Sequence, residues 1–229
     1  MRHPALPLSR PVGQSAVIAV FAALSLGTNY VLIGFANVKL MDSLVFLASF
    51  LFGLRVGIGV AISTWTVYGF VNPNGQDDLI LLSFLMVGEC FYALSAAILQ
   101  RTSFPRRVLD RKKVSVVETA KSSFWSKTRS KQRLNRLKLF LTRNGQFSFL
   151  LGVTGVLTTF AYDVLTNFAS WVFRTPSLYQ ALIVGNIIGA PYSLVHEASN
   201  LVFFATVVPS AIISVKWYTG NIRTGIGTT

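Results

Sequence analysis

The chain carries unbroken apolar runs as long as a membrane is thick, and that length constrains its fold more than any motif in it. A bilayer's hydrocarbon core of about 30 Å is crossed by a helix of roughly 20 mostly apolar residues, and Gly13 to Phe35, Leu79 to Leu99 and Phe147 to Phe173 each supply one. Backbone N–H and C=O groups in hydrocarbon must be satisfied within the segment, so runs of this kind cross as helices. With 52% hydrophobic and only 13% charged residues, the composition lies outside that of soluble domains. The chain reads as an integral membrane protein.

Two further apolar stretches are too long for one crossing. Val38 to Val71 as a single helix would reach roughly 51 Å, so it is expected to fold back around Gly53 to Gly57, beside Arg55. That gives two short spans, Val38 to Leu54 and Val56 to Val71. Asn72 to Asp78, NPNGQDD, is turn chemistry that leads into span four. Leu178 to Val215 is also overlong. Its crossing is expected to begin either near Gly189, after a surface piece, or near Gln180, ending before Pro209.

The net charge of +13 is concentrated in one place, because 14 of the 21 Lys and Arg residues lie between Arg101 and Arg143, against the two acids Asp110 and Glu118. Basic loops stay in the cytoplasm. Counting spans in both directions from this loop puts both termini and the Arg55 turn inside. The fold class that follows is all-α: a multi-pass, six-transmembrane-helix bundle of the plasma membrane with both termini cytoplasmic. It divides into helices 1–4 (residues 1–100), a basic loop (101–144), and helices 5 and 6 with a tail (145–229). Lys131 to Arg143 reads as a basic amphipathic helix on anionic lipid. Juxtamembrane position accounts for the charge, so no nucleic-acid partner is expected. The apolar run after MRHPALPLSRP is longer than a signal's core, and it is expected to be a retained first span.

Ionisable residues at membrane depth cost about 2.5 to 3.5 kcal/mol each on insertion scales, so they mark bundle interiors or cavities. Thr159, Asp163, Asn167 and Trp171 recur at fourfold spacing on one helix face, and so do Tyr192, His196 and Asn200, just after Pro191. Thr64, Tyr68 and Asn72 form a third row, and Glu89 sits at the centre of span four. Such rows either join helices by hydrogen bonds or line a binding site, and their convergence on so few positions favours a site. The expected substrate-binding residues are Glu89, Asp163, Asn167, His196, Asn200, Tyr68, Trp171 and Tyr192, with Trp65 as a further aromatic wall. Lys39 and Asp42, three apart, read as a local ion pair. Ser15, Ala19, Ala23 and Gly27 form a stripe of small residues on span one, where another helix can approach closely.

Catalytic motifs are weak. His196-Glu197-Ala198-Ser199-Asn200 is a zinc-protease HExxH pattern with Asn in place of the second His, and the only other histidine is His3. The sequence contains neither a GxSxG elbow nor a GxxxxGK phosphate loop, and its single cysteine is Cys90. No enzyme activity, cofactor or metal is expected. An intramembrane enzyme or a ligand-free structural protein stand as alternatives.

Three segments carry a family resemblance: Asn37 to Pro73, YDVLTN at Tyr162 to Asn167, and GAPYSLVHEASNLVFF at Gly189 to Phe204. They resemble the substrate-binding S components of energy-coupling factor (ECF) transporters, from which the long basic loop departs. The resemblance implies a six-helix subunit that captures a vitamin or related organic micronutrient from outside. It also implies partners: a transmembrane coupling subunit and two ATPase subunits. By the same resemblance, the small-residue stripe on span one docks the coupling subunit. The family's nickel and cobalt members begin with a Met-His head, whereas this chain begins Met1-Arg2-His3-Pro4, which points away from free metal as the substrate.

Overall fold

The computed structural model describes the backbone of residues 11–72, 78–102 and 128–225, and the side chains of residues 11–72, 78–102 and 145–215. Among these residues the regular structure is entirely helical. The six helices are α1 (Pro11–Val31), α2 (Met41–Phe52), α3 (Leu54–Val71), α4 (Leu79–Arg101), α5 (Thr128–Trp171) and α6 (Leu178–Gly225). All six expected helices are present, which bears out the all-α architecture.

Five helices, or segments of them, are long and apolar enough to cross a membrane. The exception is α2, whose 12 residues reach about 18 Å. Every α2 residue from Met41 to Leu51 is buried, including Asp42, Ser43 and Ser49. It is wrapped by α1, α3, α4 and α6, so its length need not match the bilayer. The outer helices instead present large apolar side chains outward, among them Leu24, Phe70, Phe160 and Ile187. That is the surface a lipid environment requires.

The α2–α3 reversal falls where glycine is needed. Gly53 has φ 106°, a conformation that costs other residues strain. It ends one helix and starts the next with no spacer. At this same end, Gln100 Nε2 donates to the Phe50 carbonyl at 2.9 Å, which ties the close of α4 to the close of α2. One turn into α3, Gly57 lets the backbones meet: an added Cβ would overlap Ser49 and lie 3.0 Å from the Ala93 Cβ. Ser49 Oγ then donates to the Ala93 carbonyl at 2.6 Å.

Two sequence expectations about the last helices are corrected. The stretch after Leu178 does not break: Pro191 and Pro209 both lie inside one continuous helix. A proline removes only one donor, and helices in membranes accommodate the loss. The span from Leu178 to Val215 contains 38 residues, roughly 57 Å of helix, so α6 projects past the hydrocarbon. The segment read as a separate amphipathic helix, Lys131 to Arg143, is helical but runs without interruption into α5. Its side chains, and residues 103–127 of the basic loop, lie outside the described residues.

Gly57→Ala is expected to destabilise the protein by about 1–3 kcal/mol through overpacking. Gly27→Ala, where a Cβ meets open space, should leave stability unchanged. Thermal unfolding of both variants in detergent checks the pair, and equal midpoints would contradict this packing.

Candidate functional site

The buried polar residues of α2, α5 and α6 meet in one connected cluster. His196, fully buried on α6, is gripped on both ring nitrogens: Nε2 lies 2.7 Å from Asp42 Oδ2 on α2, and Nδ1 lies 2.9 Å from Asp163 Oδ1 on α5. With a proton on each nitrogen the ring is an imidazolium that donates to both carboxylates. The distances are those of charge-assisted bonds. The Tyr162 ring packs edge-on to the imidazole at 5.6 Å.

One helical turn below, Asn200 extends the network. Its Nδ2 is 2.7 Å from Asp42 Oδ2, 2.8 Å from Thr159 Oγ1 and 3.2 Å from the Tyr92 hydroxyl. The amide has two hydrogens, so one serves Asp42 and the other is shared. Tyr92 donates to Thr159 at 3.0 Å, and Thr159 donates to the Gly155 carbonyl at 2.8 Å. The network thus joins α2, α4, α5 and α6 through groups that no solvent reaches.

Above it opens a cavity of about 370 Å³. Its walls are the loop after α1 (Leu32 to Lys39), the ends of α3 and α4 (Tyr68, Asn72, Leu81, Leu85), and the facing stretches of α5 and α6. Asp163 and His196 line its buried end, so the cluster forms the cavity's floor. Trp65 and Tyr68 form an aromatic wall with ring centroids 5.8 Å apart. The Lys39 ammonium lies 4.9 Å over the Trp65 ring, a cation–π geometry.

Of the residues expected to bind substrate, Tyr68, Asp163, Asn167, Tyr192 and His196 line this cavity. The other three do not. Asn200 is buried beneath His196. Glu89 is fully buried and accepts from Trp65 Nε1 at 3.1 Å, so it supports the aromatic wall from behind. Trp171 packs between α5 and α6, where a Cβ on Gly185 would lie 3.2 Å from its Cδ1. Gly185 and Gly189 bring α6 against Asn167, whose Nδ2 donates to Ser193 at 3.1 Å.

Sequence reasoning misassigned Asp42, whose hydrogen bonds run to α6 while Lys39 turns to Trp65. It missed Asn29, which lines the cavity from α1 and donates from Nδ2 to Met41 Sδ at 2.9 Å. An acid in an apolar span was signal enough for Asp42, but the amide at the end of α1 gave none. Glu197 lies on a different, partly exposed face of α6. Among the described residues no three His, Cys, Asp or Glu side chains are grouped to hold a metal ion.

The described residues form a helical bundle with apolar outer faces and a cavity at one end. Residues 14–120, just under half of the chain, match the family model of the ECF transporter, substrate-specific component. The resemblance read from the sequence is thereby borne out over that segment, which is similar to the substrate-specific components of ECF transporters. No curated protein and no solved structure matches it.

Replacing Asp42 with Leu removes one carboxylate from a buried bridge and leaves His196 Nε2 and the Asn200 amide facing hydrocarbon. A loss of about 3–5 kcal/mol is expected, read as a fall in unfolding midpoint or in folded yield. A loss under about 0.5 kcal/mol, the level of an ordinary surface substitution, would contradict the bridge.

Proposed function

We propose that the cavity captures an organic micronutrient, a vitamin or a relative of one, from outside the cell, for ATP-driven uptake by partner subunits in the plasma membrane. The observation that carries this reading is the cavity's make-up. It combines a volume suited to a small ligand, aromatic walls, and a few polar groups converging at the buried end, as ligand sites do. Tyr68, Asp163, Asn167, Tyr192 and His196 touch the ligand. Asn200 and Glu89 hold the floor and the Trp65 wall in place. The charge distribution supports an outward-facing cavity, because the basic loop enters at the opposite end of the bundle and basic loops stay inside.

Docking on a transmembrane coupling subunit is assigned to α1. Ser15, Ala19, Ala23 and Gly27 are all exposed, and a Cβ placed on Gly27 meets open space. A second helix fits against such a face. The two ATPase subunits act through that coupling subunit, and the basic segment from Arg101 to Asn144 is assigned to anionic lipid.

Two measurements test the reading. Mass spectrometry of the protein purified in mild detergent is expected to find a small organic molecule bound in stoichiometric amount. Protein that neither carries nor captures one would contradict it. Gly27→Leu should leave ligand binding unchanged while lowering uptake in cells by about tenfold or more, as a lost helix–helix contact of over about 1.4 kcal/mol would; unchanged uptake would remove α1 as the docking face.

A further inference from the structure

Two residues that line the cavity carry a buried acceptor oxygen with no hydrogen-bond partner. Asp163, 5% exposed, spends Oδ1 on His196 and leaves Oδ2 with no partner. Asn29, 4% exposed, directs Nδ2 to the Met41 sulfur and leaves Oδ1 with no partner. The orientation of that amide follows from chemistry, since a thioether accepts but cannot donate and the N–H must face it. The His196 and Thr166 donors beside Asp163 are already committed. Both His196 nitrogens are held by carboxylates, and the Thr166 hydroxyl donates to the Tyr162 carbonyl at 3.0 Å. Two acceptors from different helices, on residues that line the cavity, therefore lack hydrogens to meet them. A buried acceptor left unmet costs about 1–3 kcal/mol.

We infer that the ligand is a nitrogenous molecule that presents N–H donors, from an amine, an amidine or an amino-substituted ring, to Asp163 Oδ2 and Asn29 Oδ1. The inference rests on the cavity being the ligand site and narrows what fills it. The two oxygens belong to α5 and α1, and each is met by a hydrogen on nitrogen, whereas a carboxylate or phosphate meets them with lone pairs against lone pairs. The opposite chemistry stands on another wall. Lys39, over the face of Trp65, offers donors there, so a ligand that spans the cavity is polarised, with N–H groups toward Asp163 and an acceptor toward Lys39. Trp65 and Tyr68 suit a flat body between these ends.

The test uses two flat probes of nearly equal size and opposite polarity. Benzamidine carries only N–H donors and benzoate only acceptors, and binding of each to the full chain in lipid nanodiscs is followed by tryptophan fluorescence. Benzamidine is expected to bind saturably and about tenfold more tightly than benzoate, a difference of about 1.4 kcal/mol. Asp163→Asn keeps an oxygen for His196 but loses the carboxylate, and should weaken benzamidine by about tenfold. Asn29→Leu, on a different helix and outside the His196 bridge, should weaken it by about threefold or more, so a fold defect in one variant does not decide the result.

Tighter or equal binding of benzoate would overturn the donor assignment and leave the cavity a ligand site. Absence of saturable benzamidine binding to the intact chain would also overturn it, and so would benzamidine binding that neither substitution weakens. The wider reading of the cavity falls only on the separate finding that the purified protein holds and captures no small molecule.

Discussion

The imidazolium of His196, fixed between Asp42 and Asp163, is the contact on which the arrangement depends. Three helices far apart in sequence are joined by two bonds to one ring, and each partner is buried where an unpaired charge is least tolerable. Taking such groups out of water costs several kcal/mol per ion, which their mutual attraction repays only when geometry and further hydrogen bonds are good. Here Asn200 supplies one of those further bonds, and Thr159 and Tyr92 extend the network. The bridge therefore acts less as a gain in stability than as a constraint on register, since any slide of α6 along α2 or α5 separates charges that have no other partner.

The cavity follows from that constraint. With α6 pinned to α2 and α5 at His196, the helices are free to part above it, and the loop after α1 with the ends of α3 and α4 closes the remaining sides. Glu89 does similar work one wall away by holding the indole of Trp65, on whose outer face Lys39 rests. The short α2 is possible because it is a core element that never meets lipid, while the outer helices carry the lipid-facing surface. A polar interior within an apolar shell, in a chain that matches the ECF substrate-specific family over residues 14–120, is what supports the proposal that the cavity receives a ligand lipid would exclude.

Much of this was legible in the sequence, and the parts that were not share a cause. Apolar runs of span length located the helices, and the excess length of Val38 to Val71 located the reversal that Gly53 makes. Fourfold spacing put Asp163 with Asn167, and His196 with Asn200, on common faces, and those faces do meet. Asp42 was obscured because Lys39, three residues away, offered a sufficient local partner, whereas its true partner His196 is 154 positions distant. Trp171 continued the row of Asp163 by periodicity, yet a helix face extends past the cavity that part of it lines. Glu89 had the right depth and the wrong address, because one oxygen of this central carboxyl on α4 is met by an indole from α3 that spacing could not pair with it. Prolines 191 and 209 suggested a break, but the cost of one missing donor each does not exceed the cohesion of a helix packed along its length against α5.

A double-mutant cycle between Asp42 and His196 addresses the central claim most directly, with Asp42→Asn, His196→Gln and the pair compared by unfolding of the full chain in detergent. A coupling of about 2 kcal/mol or more is predicted, within the range for residues that share one buried network. Additivity within about 0.3–0.5 kcal/mol, as found for sites that do not touch, would mean that the two side chains are not joined and that the floor of the cavity is built some other way.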